Sequence, residues 1–447
     1  MQNQTNLIQC GHSVVATTRE LIESTEFKNQ HRRNERSFVR KRCLTFSVVI
    51  IYLLQKTLRS LQLHLNDFAE QLGVERWVSK GGWTQGRAKL RHTAFIALNE
   101  RAVLQVVYGQ RTDFQVRRWH ELRLVAIDSS LLRLPQEVAL GEEFGWVQCR
   151  NQSGPTIRYA QARLSVAYDV LNRIGLETKL VSSTLGERRL AAEHFSNLGP
   201  GDLVVTDRGY AGYEEFARQI QLRLALVCRC ERNTFKELAQ LFEADQAGVS
   251  VQVKLRPSHS KLKVIRAAGL PEEITIRLIT LRLTDGQLEV LATSLLDEQA
   301  YPTKSFGYVY QQRWGVETYF NVLKGRLDLE NFTGRTVEAI RQEVHATVFL
   351  SNLETVITRP AQARLKQTAA TRKHPAQVNH AVAFHSIKSH ALDLLTSRKP
   401  IDEVLQRLEK KFLLDPVSVR KGRSTPRQKP SGWRSYNHRR CSRKVVF

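Results

Sequence analysis

The spacing of apolar residues changes near residue 116, and this change constrains the fold more than any other feature of the sequence. Five apolar runs beyond that point have the length and spacing of β-strands: 122–127, 162–170, 175–181, 202–206 and 222–228. Segments with helical spacing, 188–198 and 213–221, lie among the later runs. Strands interleaved with helices predict a mixed sheet with helices packed on its faces, which is an α/β fold.

Two of the strand-like runs in this region, 116–230, end in an aspartate, Asp128 or Asp207. Open α/β sheets place their functional sites at the carboxyl ends of strands, so we expect the two carboxylates to share a cleft. There are simpler alternatives. Asp128 also suits a turn residue that caps the amides after it, and Asp207 also suits an ion pair with Arg208.

The segment from Tyr310 to Lys324 places an acid and two cations on one side of a predicted helix. At roughly 100° per residue, the side chains of Tyr310, Arg313, Glu317 and Lys324 fall within a stripe roughly 60° wide. A carboxylate between cations suits a site that holds a divalent metal ion and also grips a phosphate. The alternative is an Arg–Glu pair four residues apart on a solvated helix face.

The N-terminal region, residues 1–115, is predicted to be a helical, basic domain. A Gly-containing turn precedes a predicted helix over 84–99, whose polar side includes Arg87 and Lys89. A helix, a short turn and a basic helix form the outline of a helix-turn-helix, which binds DNA through its second helix. We therefore predict that both cations contact DNA.

Three further regions complete the predicted organisation. Residues 231–305 contain three strand-like runs and predict a β-rich insertion. Residues 306–358 return to the core with the Glu317 helix. Residues 359–447 predict helices followed by a basic tail, which either lies on DNA phosphates or is simply solvated.

The charge of the chain points to a polyanionic partner. Its 447 residues contain 68 Lys and Arg against 43 Asp and Glu, a net charge of +25, and nucleic acid is the first candidate. A membrane is not expected, because the most apolar run, 44–54, is too short to span a bilayer. No basic segment precedes a long apolar stretch at the N-terminus, so we predict a cytoplasmic protein. The scattered cysteines lack zinc-site spacing and are predicted to be free thiols.

Asp128, Asp207 and Glu317 together have the chemistry of a metal-dependent phosphodiester site. Magnesium prefers a few carboxylates together with water or phosphate oxygens. Two ions about 4 Å apart stabilise the attacking and leaving oxygens of an in-line displacement. Three carboxylates suffice for two ions when one of them bridges both, and neighbouring cations such as Arg208 would hold the flanking phosphates.

Several motifs resemble those of DDE transposases of the insertion sequence 4 family. The spacing Tyr310-x2-Arg313-x3-Glu317-x6-Lys324 resembles the family's Y-R-E-K signature. The segment 128–135, DSSLLRLP, is similar to its first-aspartate motif, and 206–210, TDRGY, to its second. Segments 45–68 and 419–427 are also similar to its N-terminal and C-terminal patterns, so the likeness extends over most of the chain.

The resemblance implies a fold and an activity. The fold would be an RNase H-like core interrupted by a β insertion, with Asp128, Asp207 and Glu317 as catalytic ligands of Mg²⁺ or Mn²⁺. The reaction would be DNA transposition: hydrolytic nicking at the ends of the element, then attack of the freed 3′-hydroxyl on target DNA. Tyr310, Arg313 and Lys324 would contact the DNA backbone. The partners would be double-stranded DNA and a second copy of the chain, in a homodimeric synaptic complex at the bacterial nucleoid.

Two other functions remain open from the residues alone. An RNase H-like nuclease would cut DNA without joining strands. A DNA-binding repressor or architectural protein would keep the fold without catalysis, although all three acids and the cations beside Glu317 are intact. A strand-transfer assay on precut DNA ends separates the first from a transposase, and a Mg²⁺-dependent cleavage assay separates the second.

Overall fold

The computed structural model describes residues 2–40, 43–57, 60–74, 78–109, 114–149, 157–368 and 372–420. The chain divides into two compact units. The helical unit comprises Met1–Val116, Arg133–Ala160 and Val322–Phe447, and the sheet unit comprises Arg117–Leu132 and Gln161–Asn321. These units divide the chain differently from the predicted domains, because 133–160 and the chain from residue 322 onward group with the N-terminal helices.

The helices follow one another along the chain in this order: Gln2–Glu23 (α1), Thr25–His31 (α2), Phe46–Leu54 (α3), Leu61–Leu72 (α4), Lys80–Arg87 (α5), Thr93–Leu98 (α6), Gln105–Tyr108 (α7), Val138–Phe144 (α8), Glu187–Phe195 (α9), Tyr213–Gln221 (α10), Lys236–Ala244 (α11), His259–Ala267 (α12), Phe306–Gln312 (α13), Trp314–Asn321 (α14), Val337–Gln367 (α15), His380–Ser389 (α16), Ala391–Leu395 (α17) and Ile401–Leu414 (α18). The strands are Arg123–Arg133 (β1), Trp146–Cys149 (β2), Ile157–Asp169 (β3), Ile174–Ser182 (β4), Asp202–Thr206 (β5), Ala225–Cys230 (β6), Ser250–Leu255 (β7), Ile274–Arg282 (β8), Leu288–Thr293 (β9), Ala376–Gln377 (β10) and Val417–Ser418 (β11).

The core of the helical unit forms around α15, which is buried on most of its circumference. Helices α1, α3, α6, α16 and α18 pack against it. Burial on most of the circumference is typical of a core helix, whereas an amphipathic helix is buried on one face only. The apolar run at 44–54 forms the buried helix α3. Within the described part of the chain, no helix has the length and apolar character needed to cross a membrane.

The sheet unit is built on strands in the order β4-β3-β1-β5-β6-β9-β8-β7. Strands β1, β5 and β6 run parallel, whereas β3 and β4 form an antiparallel hairpin and β9, β8 and β7 follow β6 in antiparallel fashion. Helix α9 covers one face next to β1 and β5. Helices α10, α11 and α12 cover the β6, β8 and β9 region. The predicted mixed α/β sheet with flanking helices is present.

The strands of the predicted insertion, 231–305, belong to the same sheet as the core strands. β9 pairs with β6, β8 with β9, and β7 with β8, so the segment extends the sheet instead of forming a sheet of its own. A hairpin turn joins the antiparallel strands β8 and β9, and Gly286 adopts a positive φ of 85° there. The sequence could locate the strands, but it could not show which edge they would join.

The predicted helix over 84–99 is interrupted. α5 ends at Arg87, and α6 begins only at Thr93. Between them the backbone pairs with an earlier segment, since the amide of Arg33 donates to the carbonyl of Lys89 and the amide of Arg91 to that of His31. These hydrogen bonds occupy groups that a continuous helix would use, so the simple helix-turn-helix outline is wrong in its second helix.

Candidate active site

The pairing of β1 with β5 brings the two predicted aspartates together. The strands are parallel, with Arg123 opposite Asp202 and Ala126 opposite Val205. Extending this register by two residues places Asp128 opposite Asp207, on the same face of the sheet. Because neighbouring strands lie about 4.8 Å apart, the two carboxylates project from adjacent backbone positions.

The two aspartates differ in their position along the strand. Asp207 directly follows β5, as predicted, but Asp128 lies inside β1, which continues to Arg133. Each carboxylate accepts a nearby backbone N–H through Oδ1: Asp128 from Ser129 at 2.7 Å, and Asp207 from Gly209 at 2.8 Å. The capping role considered for Asp128 is therefore real. It coexists with the pairing of the two acids.

The environment of Asp128 leaves its negative charge poorly compensated. The pKa of Asp128 is raised to about 6, mainly by burial and also by the neighbouring Asp207 and Glu187, against the lowering effects of the Ser129 amide and of Arg313. A bound cation would relieve both penalties. The oxygen donors and this excess of negative charge therefore fit a hard divalent ion such as Mg²⁺.

Glu317 lies in the first turn of α14 and is linked to the aspartates through Arg313. The Arg313 Nη2 atom donates to Glu317 Oε1 at 2.7 Å, and the same guanidinium interacts electrostatically with Asp128. The helix is held close to the sheet, because Tyr319 stacks on Tyr168 with ring centroids 4.3 Å apart. Arg313 thus connects the third acid with the first.

The described residues contain no group of three or more His, Cys, Asp or Glu side chains arranged to hold a metal ion. The sharing of metal ions among Asp128, Asp207 and Glu317 therefore stays a prediction. Asp128 and Asp207 are the pair that the sheet register brings together, and Glu317 pairs with Arg313, which interacts electrostatically with Asp128.

The predicted single helix over 310–324 is divided. α13 ends at Gln312 and α14 begins at Trp314, because the amides of Arg313 and Val316 donate to carbonyls three residues back rather than four. A π-helical turn then covers Val322–Arg326. The uniform 100° spacing behind the predicted stripe therefore does not hold along the whole segment.

Tyr310 and Arg313 line a cleft of about 1000 Å³ in the sheet unit. Both side chains are largely buried, and the Arg313 guanidinium lies 5.9 Å from the Tyr310 ring and 5.0 Å from the ring of Trp314. Further cations line the same cleft: Arg229, Arg282 and Lys304. Arg208 is exposed elsewhere in the unit and pairs with Glu231 at 2.6 Å. The contacts of Tyr310, Arg313 and Arg208 with DNA remain predictions.

Of the candidates in the helical unit, one is exposed, one is partly buried and one is buried. Lys89 is exposed, and Lys324 lies in the π-helical turn with its ammonium 3.8 Å from Glu330. Arg87 is only 4% exposed, and its guanidinium donates to Gln342, Thr333, Glu343 and the carbonyl of Ala339. The prediction that Arg87 contacts DNA is corrected, because every guanidinium nitrogen is used inside the protein. The basic tail beyond Arg420 lies outside the described residues.

Sequence reasoning missed polar residues that surround the aspartates. Glu187 and Arg163 contact Ser129 beside Asp128, and Arg188 contacts the loop after Asp207. The buried Tyr210 hydroxyl has no hydrogen-bond partner among the described residues. Tyr210 lies inside the second-aspartate motif, which could have drawn attention to it. The three charged residues carry no signal in the sequence, because their proximity depends on how the hairpin and α9 pack.

Comparisons with known proteins identify the family of the chain. The transposase DDE domain family matches residues 119–353, more than half of the chain. Transposase InsG for insertion sequence element IS4, from Escherichia coli strain K12, is 23% identical over 240 residues, which is 53% of this chain and 52% of InsG. The match thus spans about half the length of that relative. A piggyBac transposase chain, solved by cryo-electron microscopy in a synaptic complex with hairpin DNA, aligns with 93% of this chain and 88% of its own length, at 10% identity and a TM-score of 0.45. The chain belongs to the transposase DDE domain family, and the resemblance to insertion sequence 4 transposases is confirmed.

Proposed function

We propose that this protein is a DNA transposase that nicks the ends of an insertion sequence and joins the freed 3′-hydroxyl to target DNA. The pairing of Asp128 with Asp207 in the sheet register carries this proposal. The family membership and the net charge of +25 support it. The core of the sheet unit, β4-β3-β1-β5-β6, would be RNase H-like, and the order of its strands supports that assignment.

In the first step, water would attack a phosphodiester at the element end, and the bond from phosphorus to the 3′ oxygen would break. In the second step, that 3′-hydroxyl would attack a target phosphodiester and release a target 3′-hydroxyl. Asp128, Asp207 and Glu317 would hold two Mg²⁺ or Mn²⁺ ions, which supply stabilisation of the attacking and leaving oxygens. Arg313 orients Glu317 and offsets the negative charge beside Asp128.

The helical unit and the exposed cations of the sheet unit would bind the DNA. Lys89, Lys324 and Arg208 would neutralise backbone phosphates, and Arg313 and Tyr310 would contact phosphate oxygens from the cleft that they line. The active form would be a homodimer that pairs two inverted-repeat ends in the bacterial cytoplasm at the nucleoid. Sedimentation of the full chain with and without end DNA tests the dimer, since two chains per two ends are expected.

The decisive experiment is the substitution Glu317→Gln in the full-length chain. We expect loss of Mg²⁺-dependent nicking and joining, with binding of end DNA nearly unchanged. Glu214→Gln is a matched control, because Glu214 is a half-exposed acid of the same unit that pairs with Arg218 on α10. A Glu317→Gln protein that joins ends at the parental rate would remove Glu317 from the site.

The same assay separates the alternatives. A protein that cleaves DNA but never joins a precut end is a nuclease of the same fold. A protein that binds ends but shows no Mg²⁺-dependent cleavage is a DNA-binding protein without catalysis.

A further inference from the structure

Helix α9 begins with two charged residues, Glu187 and Arg188, that reach different parts of the candidate site. Glu187 Oε1 accepts a hydrogen bond from the Ser129 hydroxyl at 2.6 Å, and the Arg163 guanidinium donates to the same carboxylate. Arg163 also donates to the Ser129 hydroxyl at 2.9 Å. The amide of Ser129 donates to the Asp128 carboxylate. Glu187 therefore supports Asp128 indirectly, through Ser129.

Arg188 makes the corresponding contact with the second aspartate segment. Its Nε atom donates to the carbonyl of Gly209 at 2.8 Å, and its Nη2 atom donates to the carbonyl of Ala211 at 3.1 Å. The amide of Gly209 in turn donates to Asp207. Two consecutive residues of one helix therefore support the two segments that carry the aspartates.

These contacts come from the face of the sheet opposite the carboxylates. Side chains alternate along a strand, so Ser129 points away from the face of Asp128 and towards the side where Ile127 packs with α9. The helix is firmly placed on that face, because Phe195 is buried there and His194 contacts the Ser165 hydroxyl at 3.0 Å and Glu177 at 2.6 Å. A fixed helix can transmit its position to both segments.

We infer that Glu187 and Arg188 are positioning residues that keep Asp128 and Asp207 in register for metal binding. This inference rests on the proposed function, since it assigns a purpose to the geometry of the same two carboxylates. Glu187 acts through Ser129, and Arg188 acts through the backbone at 209–211. Neither side chain is assigned to the reacting phosphate.

The test measures metal binding apart from catalysis. The full-length protein without DNA is titrated with Mn²⁺, and the free ion is followed by electron paramagnetic resonance. Glu187→Gln and Arg188→Gln are each expected to weaken Mn²⁺ binding by about 10-fold to 100-fold, the range for residues that orient metal ligands. Glu193→Gln and Arg189→Gln are matched controls on the same helix: both side chains are at least partly exposed and pair with each other. The controls are expected to bind Mn²⁺ like the parent.

Hydrogen exchange of the same variants separates positioning from general destabilisation. We expect faster exchange at 127–131 in Glu187→Gln and at 207–211 in Arg188→Gln, with the rest of the sheet unit unchanged. Ser129→Ala combined with Glu187→Gln should weaken Mn²⁺ binding no more than the stronger single variant, because both changes break the same connection. Unchanged exchange in both segments, or parental Mn²⁺ affinity of both variants, overturns the inference.

Failure of the proposed site has a different signature. If Asp128→Asn and Asp207→Asn bind Mn²⁺ as well as the parent, the two aspartates are not the ligands and the metal part of the proposed function fails. The exchange measurements then still decide whether Glu187 and Arg188 hold the two segments.

Discussion

Replacing Glu343 with Gln is expected to destabilise the helical unit strongly. Glu343 lies on α15 with 1% of its side chain exposed, and it is 3.0 Å from the Lys56 ammonium and 3.1 Å from the Arg87 guanidinium. The carboxylate also accepts hydrogen bonds from the amide and hydroxyl of Thr333 and from the amide of Gly334. A neutral amide of the same shape leaves two nearly buried cations without their anion.

The magnitude follows from the pKa of Glu343. Burial alone raises this pKa, but Lys56, Arg87 and the Thr333 hydrogen bonds outweigh burial and lower it from 4.5 to about 2. At about 1.4 kcal/mol per pH unit, this corresponds to about 3 kcal/mol of stability. Removing one partner of a buried ion pair typically costs about 3 to 5 kcal/mol, which agrees. Because the folded pKa is depressed, the stabilisation is complete above about pH 4.5 and is lost as the pH falls towards 2.

Hydrogen exchange followed by mass spectrometry measures the effect within the intact chain. In Glu343→Gln, peptides from 337–367 and 80–87 should exchange about a hundredfold faster at neutral pH, since about 1.4 kcal/mol is a factor of ten. Glu403→Gln is the control: this acid of α18 is 52% exposed, pairs with Arg407, and should contribute less than about 0.5 kcal/mol. Exchange within about twofold of the parent in Glu343→Gln would refute this reasoning, as would a parental stability that does not fall between about pH 4.5 and 2.

Two further substitutions test packing and charge in the helical unit. A Cβ on Gly141 would lie 1.8 Å from the Trp146 indole, so Gly141→Ala should displace that ring and destabilise the unit by about 1 to 3 kcal/mol in urea denaturation followed by tryptophan fluorescence. Burial and the nearby Lys56 lower the pKa of Lys388 from 10.5 to about 8. The charged ammonium therefore destabilises the folded state below about pH 8, and this penalty decreases as the pH rises towards 10.5. This penalty is about 3 kcal/mol, but Lys388→Met also removes the hydrogen bond from the ammonium to the Lys56 carbonyl, so a net gain of about 1 kcal/mol is expected in urea denaturation at about pH 7, and that gain should disappear at about pH 10.5.

Local patterns predicted the elements of the sheet unit well. The strand 202–206 and the helix 213–221 have the predicted bounds, because spacing and flanking turn residues determine them locally. The prediction at 84–99 was wrong because backbone pairing with 31–33 outweighs helical spacing. The prediction that Arg87 contacts DNA was wrong for a related reason. Its partner Glu343 is 256 residues away, and no local signal shows that the guanidinium will be buried.

The sequence motifs name three acids for the candidate site, but they do not show which residues hold those acids in place. Asp128, Asp207 and Glu317 stand in motifs, whereas the residues that place them do so through pairing and packing. Arg123 binds Asp202 through two hydrogen bonds, of 2.7 and 2.9 Å, at the first pair of the β1–β5 register. A slip of one residue in that register would move either aspartate to the other face of the sheet.

Glu317 depends on a close approach of a similar kind. A Cβ on Gly315 would lie 3.2 Å from the side chain of Val170, which follows β3, so the absence of a side chain there lets α14 come near the sheet. A glycine two residues before the third acid thus contributes to its position, and an ion pair five residues before each of the first two contributes to theirs. The candidate metal ligands are therefore different residues from those that position them. Substitution of a positioning residue such as Arg123 or Gly315 should lower metal affinity without removing any ligand. This result would distinguish a positioning residue from a catalytic one.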